Sequence, residues 1–316
     1  MAANKLKASY TLKVDQIFEN KGWEMEPDIE LKLSLYNKYI DRLKRLPEDT
    51  RSLFLELTER FDRIDLIEIT SLFFEAYRSI DISILNESKK IYILPLVEPE
   101  LSLIKSNKGN NLLLNIWHYI KAVFFKKTVD RPKNKSGENI LAIIENSEYR
   151  GLSNSSKFIF PQNYSRFKSV FNKKKDLLIL VDDFIGTGDT ANNILKHYYK
   201  SSKFDSSNTI ILSLVSLKQG IENVFKKHNT KVFQAQIKER AITDYYNSKE
   251  EVDLNIAKVK IMEDTLRCQI DLSLGYKESQ ALISIMNKCP NNTLPVFWHE
   301  TKSIPAPFPR RKIYNK

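Results

Sequence analysis

Cysteine is nearly absent: Cys268 and Cys289 are the two in a chain of 316 residues, too few for a disulfide framework. No CxxC or HxxxH spacing marks a zinc site. The opening MAANKLKASYTLKVDQ has no apolar core of signal-peptide length. The greasiest stretch, 112–125, is interrupted by Asn115, His118 and Lys121 and is unfit to span a bilayer. Internal repeats are missing, as are low-complexity tracts beyond short Lys/Asn/Ser-rich loops. These absences leave the expectation of a reduced, cytoplasmic chain with no membrane partner.

What is present is cationic. Lysine and arginine exceed aspartate and glutamate by 50 − 39 = 11, and the sequence pI is about 9.3. That balance favours anionic partners, nucleic acid or phosphorylated sugars; the plainer reading is a lysine-rich solvated surface. Hydrophobic content of 42% suffices for a core. At ~150 residues per domain the length suggests about two domains.

The organising stretch is LLILVDDFIGTGDT, residues 177–190. Leu177 to Val181 form an apolar run of strand length. It stops at two carboxylates, Asp182 and Asp183. A loop of small residues follows, and then the helical stretch ANNILKHYYK. Gly186 and Gly188 let backbone approach a ligand, and the N–H groups opening a helix favour an anion. A Walker loop fails because no lysine follows Gly188. A dinucleotide fingerprint is formally met by Gly186, Gly188 and Ala191. It fits badly, since Asp182 to Ile185 intervene after the apolar run and the next strand ends in SLKQ without an acid for a ribose. A buried strand with an ordinary turn leaves the paired carboxylates unexplained.

Elsewhere the pattern alternates. Ile29, Leu33, Tyr36, Ile40 and Leu43 share a helical face. Pro47 ahead of Glu48 and Asp49 suits a new helix, continued by Leu53, Leu57 and Phe61 and then by Leu66, Ile69, Phe73 and Ala76. This predicts a small helical bundle or cap over 1–88. IYILPLV (91–97) is strand-like, with Pro95 pointing to a strand end or an edge. A loop and an amphipathic helix over about 111–124 come next, then KKTVDRPKNKSG, a polar run punctuated by Pro132 and Gly137 that predicts a mobile loop. A helix over 164–171 precedes the central strand. A buried strand over 208–217 and a helix over 219–227 follow it, an α/β alternation. Phe233, Tyr245 and Tyr246 could flank a base, although aromatics so spaced are more often core. Gly275 and Pro290-Asn291-Asn292 are turn formers.

Two segments carry a family resemblance. The strand, acid pair, two apolar residues and T-G-x-T of 177–190 resemble the signature of type I phosphoribosyltransferases. GYKESQAL and PNNTLPVFW, 275–282 and 290–298, resemble the C-terminal part of the phosphoribosyltransferase-like proteins of bacterial conflict systems, anti-phage and retron-associated, which also begin with a helical region. The resemblance runs from about Trp23 to Trp298 and implies an α/β core with a mainly parallel sheet flanked by helices. On it the division is a helical region 1–88, an α/β domain with C-terminal hood 89–300, and a basic proline-rich tail 301–316, expected as a surface arm.

The same resemblance implies the site. Asp182 and Asp183 would be the catalytic acid pair, accepting hydrogen bonds from the ribose hydroxyls of phosphoribosyl pyrophosphate or a related nucleotide. Ile185, Gly186, Thr187, Gly188, Asp189 and Thr190 would wrap its 5′-phosphate. Lys105, Ser106, Lys108 and Gly109 are candidates for pyrophosphate, although the usual short glycine-rich form of that loop is absent and a basic surface loop explains them nearly as well. Lys127 and Arg131 are candidates on a closing loop. Asn291, Asn292 and Thr293 are candidates in the hood, where Trp298 is expected to pack. Mg2+ would arrive on the substrate pyrophosphate. Gly186 stands where purine-salvage members carry an aspartate base, which argues against purine salvage. The implied function is an effector of anti-phage defence acting at ribose C1; the alternative is a non-catalytic module that senses a nucleotide or joins a retron reverse transcriptase with its RNA–DNA product.

Overall fold

The computed structural model describes residues 6–25, 34–98, 136–145, 156–161, 164–301 and 303–310. The chain divides into two compact units, one formed by 1–69, 215–221 and 237–316, the other by 70–214 and 222–236. Among the described residues no helix is long and apolar enough to cross a membrane.

The first, mostly helical unit begins with α1 (Ala8–Lys21), α2 (Leu35–Arg45) and α3 (Glu48–Glu59). Gly22 ends α1 in the left-handed region (φ 61°), and the Trp23 N–H reaches back to the Phe18 carbonyl, the usual helix-stop geometry. Ser34 caps α2 by accepting from the Asn37 N–H at 3.1 Å. The start expected after Pro47 is where α3 begins. Of the expected apolar face, Leu43, Leu53, Leu57 and Phe61 are buried; Ile29 and Leu33 lie outside the described residues.

A short strand β1 (Asp62–Ile64), unforeseen in the sequence, pairs in parallel with Ile283–Ile285. The core is aromatic: Trp23, Tyr39, Phe54, Phe61, Phe297 and Phe308 are all buried, and Phe61 stacks on Phe308 with ring centres 4.7 Å apart. The stretch 303–310 is therefore not a surface arm. Phe308 is buried, its N–H donates to the Phe297 carbonyl, and Ile304 and Ala306 are buried too.

The second unit is built on a sheet. Its elements are α4 (Leu66–Arg78, mostly in this unit), α5 (Ile82–Glu87), β2 (Lys90–Pro95), α6 (Ser136–Glu145), β3 (Phe158–Ile159), α7 (Tyr164–Val170), β4 (Asp176–Ile185), α8 (Asp189–Tyr199), β5 (Thr209–Leu217, in this unit to Leu214), α9 (Lys218–His228, in this unit from Glu222) and β6 (Val232–Lys238, in this unit to Gln236). Five parallel strands run in the order β3-β2-β4-β5-β6 with helices flanking them. The α/β class and mainly parallel sheet expected from the sequence are what the chain forms. In β5 every residue is buried, and in β4 every residue but Asp183. Continuous apolar runs are what a parallel sheet covered on both faces requires.

Three details differ from expectation. Pro95 ends β2, but β2 lies between β3 and β4 and is no edge; Leu96 supplies the N–H that bonds the Val181 carbonyl at 2.8 Å, so the missing proline donor leaves no gap. Leu66 is 58% exposed while Ile69, Phe73 and Ala76 of the same predicted face are buried, because it opens α4 and lies off the packed face. Gly137 is in the first turn of α6 and not in a loop. There an added Cβ would meet the Val181 carbonyl oxygen at 2.4 Å, so α6 begins against the end of β2 and the middle of β4 and only glycine lets it.

Candidate functional site at the end of the central strand

The site grows out of β4. The sequence suggested that the strand stops at the acid pair, but it continues through Asp182 and Asp183 to Ile185. Successive strand residues face opposite sides of a sheet, so the two carboxylates diverge. Asp182 is 8% exposed, and its Oδ1 accepts the Asp183 N–H at 3.0 Å. Asp183 is the more open of the two.

From Ile185 the chain bends through Gly186, Thr187 and Gly188 into α8. Gly188 is the N-cap, at φ 79° and ψ 0° in the left-handed region, where a side chain would be strained. It brings no capping side chain, and the first helical bond runs from the Asn192 N–H to the Gly188 carbonyl at 2.8 Å. The opening N–H groups of a helix lack intrahelical partners and carry its positive end. Asp189, in the first turn, answers part of that field and accepts from the Thr187 hydroxyl at 3.2 Å.

Two asparagines were not anticipated. Asn223 of α9 donates its side-chain N–H to the Thr187 carbonyl at 2.7 Å, pinning the loop to the neighbouring helix. Nothing in the sequence pairs positions so far apart. Asn192 is 6% exposed, and neither end of its amide has a hydrogen-bond partner among the described residues. It falls on the buried face of α8 beside Ala191, a signal visible only once the helix face is known.

Asp182, Asp183 and the loop from Ile185 to Thr190 thus form one continuous strand–loop–helix unit. Lys105, Ser106, Lys108, Gly109, Lys127 and Arg131, and the helix expected over 111–124, lie outside the described residues. Asn291, Asn292 and Thr293 belong to the first unit, where their groups brace the C-terminal segment. The Asn291 carbonyl accepts the Tyr276 N–H. The Asn292 amide donates to the Ser279 hydroxyl at 3.1 Å, and the Thr293 hydroxyl to the Ile283 carbonyl at 2.7 Å. Trp298 is buried and donates to the Thr293 carbonyl at 2.7 Å, so it packs as expected. Tyr246 donates to Glu56 at 2.6 Å, and Tyr245 lies under the Arg60 guanidinium at 3.6 Å. Among the described residues no group of three or more His, Cys, Asp or Glu is placed to hold a metal ion.

Two comparisons, with curated proteins and with solved structures, return no match. A family model does match: PRTase-CE, over residues 44–310, which takes in the acid pair, the glycine loop and the C-terminal motif. The chain belongs to the PRTase-CE family and is a phosphoribosyltransferase-like protein.

Proposed function

We propose that the protein binds phosphoribosyl pyrophosphate, or a related nucleotide, at the end of β4 and transfers or cleaves at ribose C1. The observation that carries this reading is the run from acid pair to uncapped helix N-terminus, with Gly188 at positive φ and Thr187 pinned by Asn223. In this reading Asp183, the more open acid, accepts from the ribose hydroxyls, and Asp182 orients the strand end through its bond to the Asp183 N–H. The N–H groups of 186–190 and the hydroxyls of Thr187 and Thr190 enclose the 5′-phosphate. Mg2+ enters on the pyrophosphate as part of the substrate; carboxylate oxygens are the hard donors it accepts. The bond from C1 to the pyrophosphate oxygen breaks with both electrons leaving on pyrophosphate, while the acceptor, water in the cleaving case, supplies the pair for the new bond to C1 and gives its proton to solvent. The protein contributes by holding the sugar and stabilising the developing charges.

The test is calorimetry with phosphoribosyl pyrophosphate and Mg2+. Asp182→Asn/Asp183→Asn is expected to abolish binding with the melting transition retained, and Asp183→Asn alone to lose more than Asp182→Asn. Equal affinity of the double variant and the wild type would refute the ribose assignment.

A second reading rests on the missing short glycine-rich form of the pyrophosphate loop in the sequence and on the net charge of +11: the chain binds the nucleotide without turning it over, within a complex such as one with a reverse transcriptase and its RNA–DNA product. Release of pyrophosphate on incubation with the substrate separates the two. We place the activity in anti-phage defence. Expression of the wild type is then expected to arrest growth and the aspartate double variant to relieve it; arrest by both would favour the binding reading.

A further inference from the structure

In a parallel sheet every strand starts at the same end, so residues just ahead of β2, β4 and β6 are gathered together however far apart they lie in the chain. Here those residues are lysines: Lys89 and Lys90, Lys173 to Lys175, and Lys231. All six are exposed. Neighbouring strands are ~4.8 Å apart, so from β2 across β4 and β5 to β6 the row spans roughly 15 Å.

The middle of the row is a built turn and not a loose run. The Asn172 N–H donates to the buried Asp176 carboxylate at 2.8 Å, and the Asn172 side-chain oxygen accepts the Lys174 N–H at 3.1 Å. The Lys175 and Asp176 N–H groups both bond the Asn172 carbonyl. Asn208 holds the turn from the side, donating to the Lys173 carbonyl at 3.2 Å and to the Lys203 carbonyl at 2.9 Å. The Lys89 N–H reaches the Lys175 carbonyl at 2.6 Å and ties the β2 entry to the same turn.

Two of the lysines are answered locally, Lys173 by Asp205 at 2.8 Å and Lys231 by Asp81 at 3.3 Å. Lys89, Lys90, Lys174 and Lys175 form no ion pair among the described residues. The turn borders a cleft of about 390 Å³ lined also by Ser88, Ser207 and Asn208, with Glu87 and Asp176 as its acids and no aromatic ring among the described residues.

We propose that this end of the sheet docks the phosphate backbone of double-stranded nucleic acid. A row of roughly 15 Å runs along several phosphates of a duplex, which each strand supplies once per ~3.4 Å of helix axis, more than a single phosphate or nucleotide presents. Single-strand binders stack bases on aromatic side chains, and the cleft offers none. An anionic membrane surface calls for an apolar face beside the cations; the cleft's own apolar residues, Leu177 and Ile84, are buried and partly buried, and Ile82, exposed next to Asp81, is a single side chain and not a face. Contact is therefore with the backbone and independent of base sequence. The surface is independent of the ribose reading: Lys175, just ahead of β4, and Asp183 near its far end are eight residues apart, roughly 26 Å at 3.3 Å per residue.

The experiment is fluorescence anisotropy with a duplex DNA of about 30 base pairs and arbitrary sequence, titrated across salt. For Lys90→Gln/Lys174→Gln/Lys175→Gln, affinity is expected to drop at least tenfold at low salt, and the slope of log K against log salt to flatten by about 2.7, at 0.9 per phosphate contact. Lys249→Gln/Lys258→Gln/Lys260→Gln removes the same charge elsewhere and is expected to bind nearly as the wild type does. In hydrogen exchange on the wild type, added duplex is expected to protect residues 172–176. The proposal is overturned if the wild type shows no salt-dependent duplex binding, if both triple variants lose affinity equally, or if phosphatidylserine vesicles bind while the duplex does not.

Discussion

In the helical unit, several buried polar side chains are turned inward and answered by the unit's own backbone and side chains. Arg42 is fully buried and has no carboxylate partner among the described residues; it donates instead to the carbonyls of Val296, His299 and Pro305 at 3.2, 2.9 and 2.7 Å. Gln280 accepts from the Ile242 and Thr243 N–H groups and donates to the Thr243 hydroxyl. Glu263 accepts from Ser273 and Leu274, and burial raises its pKa. In the sheet unit the strands are aliphatic, and the charges collect where the strands begin and where β4 ends. Polar residues of the first kind maintain a shape, and those of the second kind are available to a ligand.

That contrast can be broken by substitution. The largest effect is expected from Arg42→Ala, which takes the donor from three carbonyls, one buried and two part-buried, and opens a cavity: about 3–5 kcal/mol of stability, read by denaturant melting. An unchanged midpoint would mean that Arg42 is not an anchor. Next is Gly275→Ala, where an added Cβ would lie 2.2 Å from the Asn292 carbonyl oxygen at a φ of 80°; a loss of about 2–4 kcal/mol is expected, with nucleotide affinity unchanged if the two kinds of residue are separable. Gly137→Ala should cost about 1–3 kcal/mol and, unlike Gly275→Ala, should weaken phosphoribosyl pyrophosphate binding, because the displaced α6 start presses on the Val181 carbonyl beside Asp182. Equal binding by both glycine variants would erase the distinction.

The smallest effect belongs to Asp205. Hydrogen bonding from Lys173 and then from Ser207 lowers its pKa from 3.8 to about 2. A carboxyl depressed in the folded state stabilises above its unfolded pKa, and that contribution is lost as pH falls from about 4 to about 2. The group is largely exposed, so solvent screening holds the effect to a fraction of a kcal/mol. Melting curves for Asp205→Asn should meet those of the wild type near pH 2 and fall slightly below them at pH 5.

The strand, loop and helix of 177–199 were legible because each is specified by neighbours in sequence: an apolar run, small residues at the bend and a periodic helix. The extension of β4 through the acids was not, since aspartate disfavours strands and only the flanking strands hold it there. Gln280 and Thr293 stood out within the C-terminal motif, but their partners at 242–243 and 283 arise from folding alone. Asn223 at the glycine loop gives no local sign of its contact. The lysines showed in the net charge, yet only the parallel order of the strands gathers them at one end.

The helical unit is closed by segments from both ends of the chain, with Arg42 bonding residues as far on as Pro305. On the ribosome, residues 1–69 must therefore wait for 237–316, roughly ten to fifty seconds at ~5–20 residues per second. For that interval the faces of Phe54 and Phe61 are uncovered, while the sheet unit, whose last segment ends at 236, can already assemble. Chaperone demand should accordingly fall on residues 1–69, and a nascent chain stalled before 290 should be cut by protease in α1 to α3 ahead of the sheet.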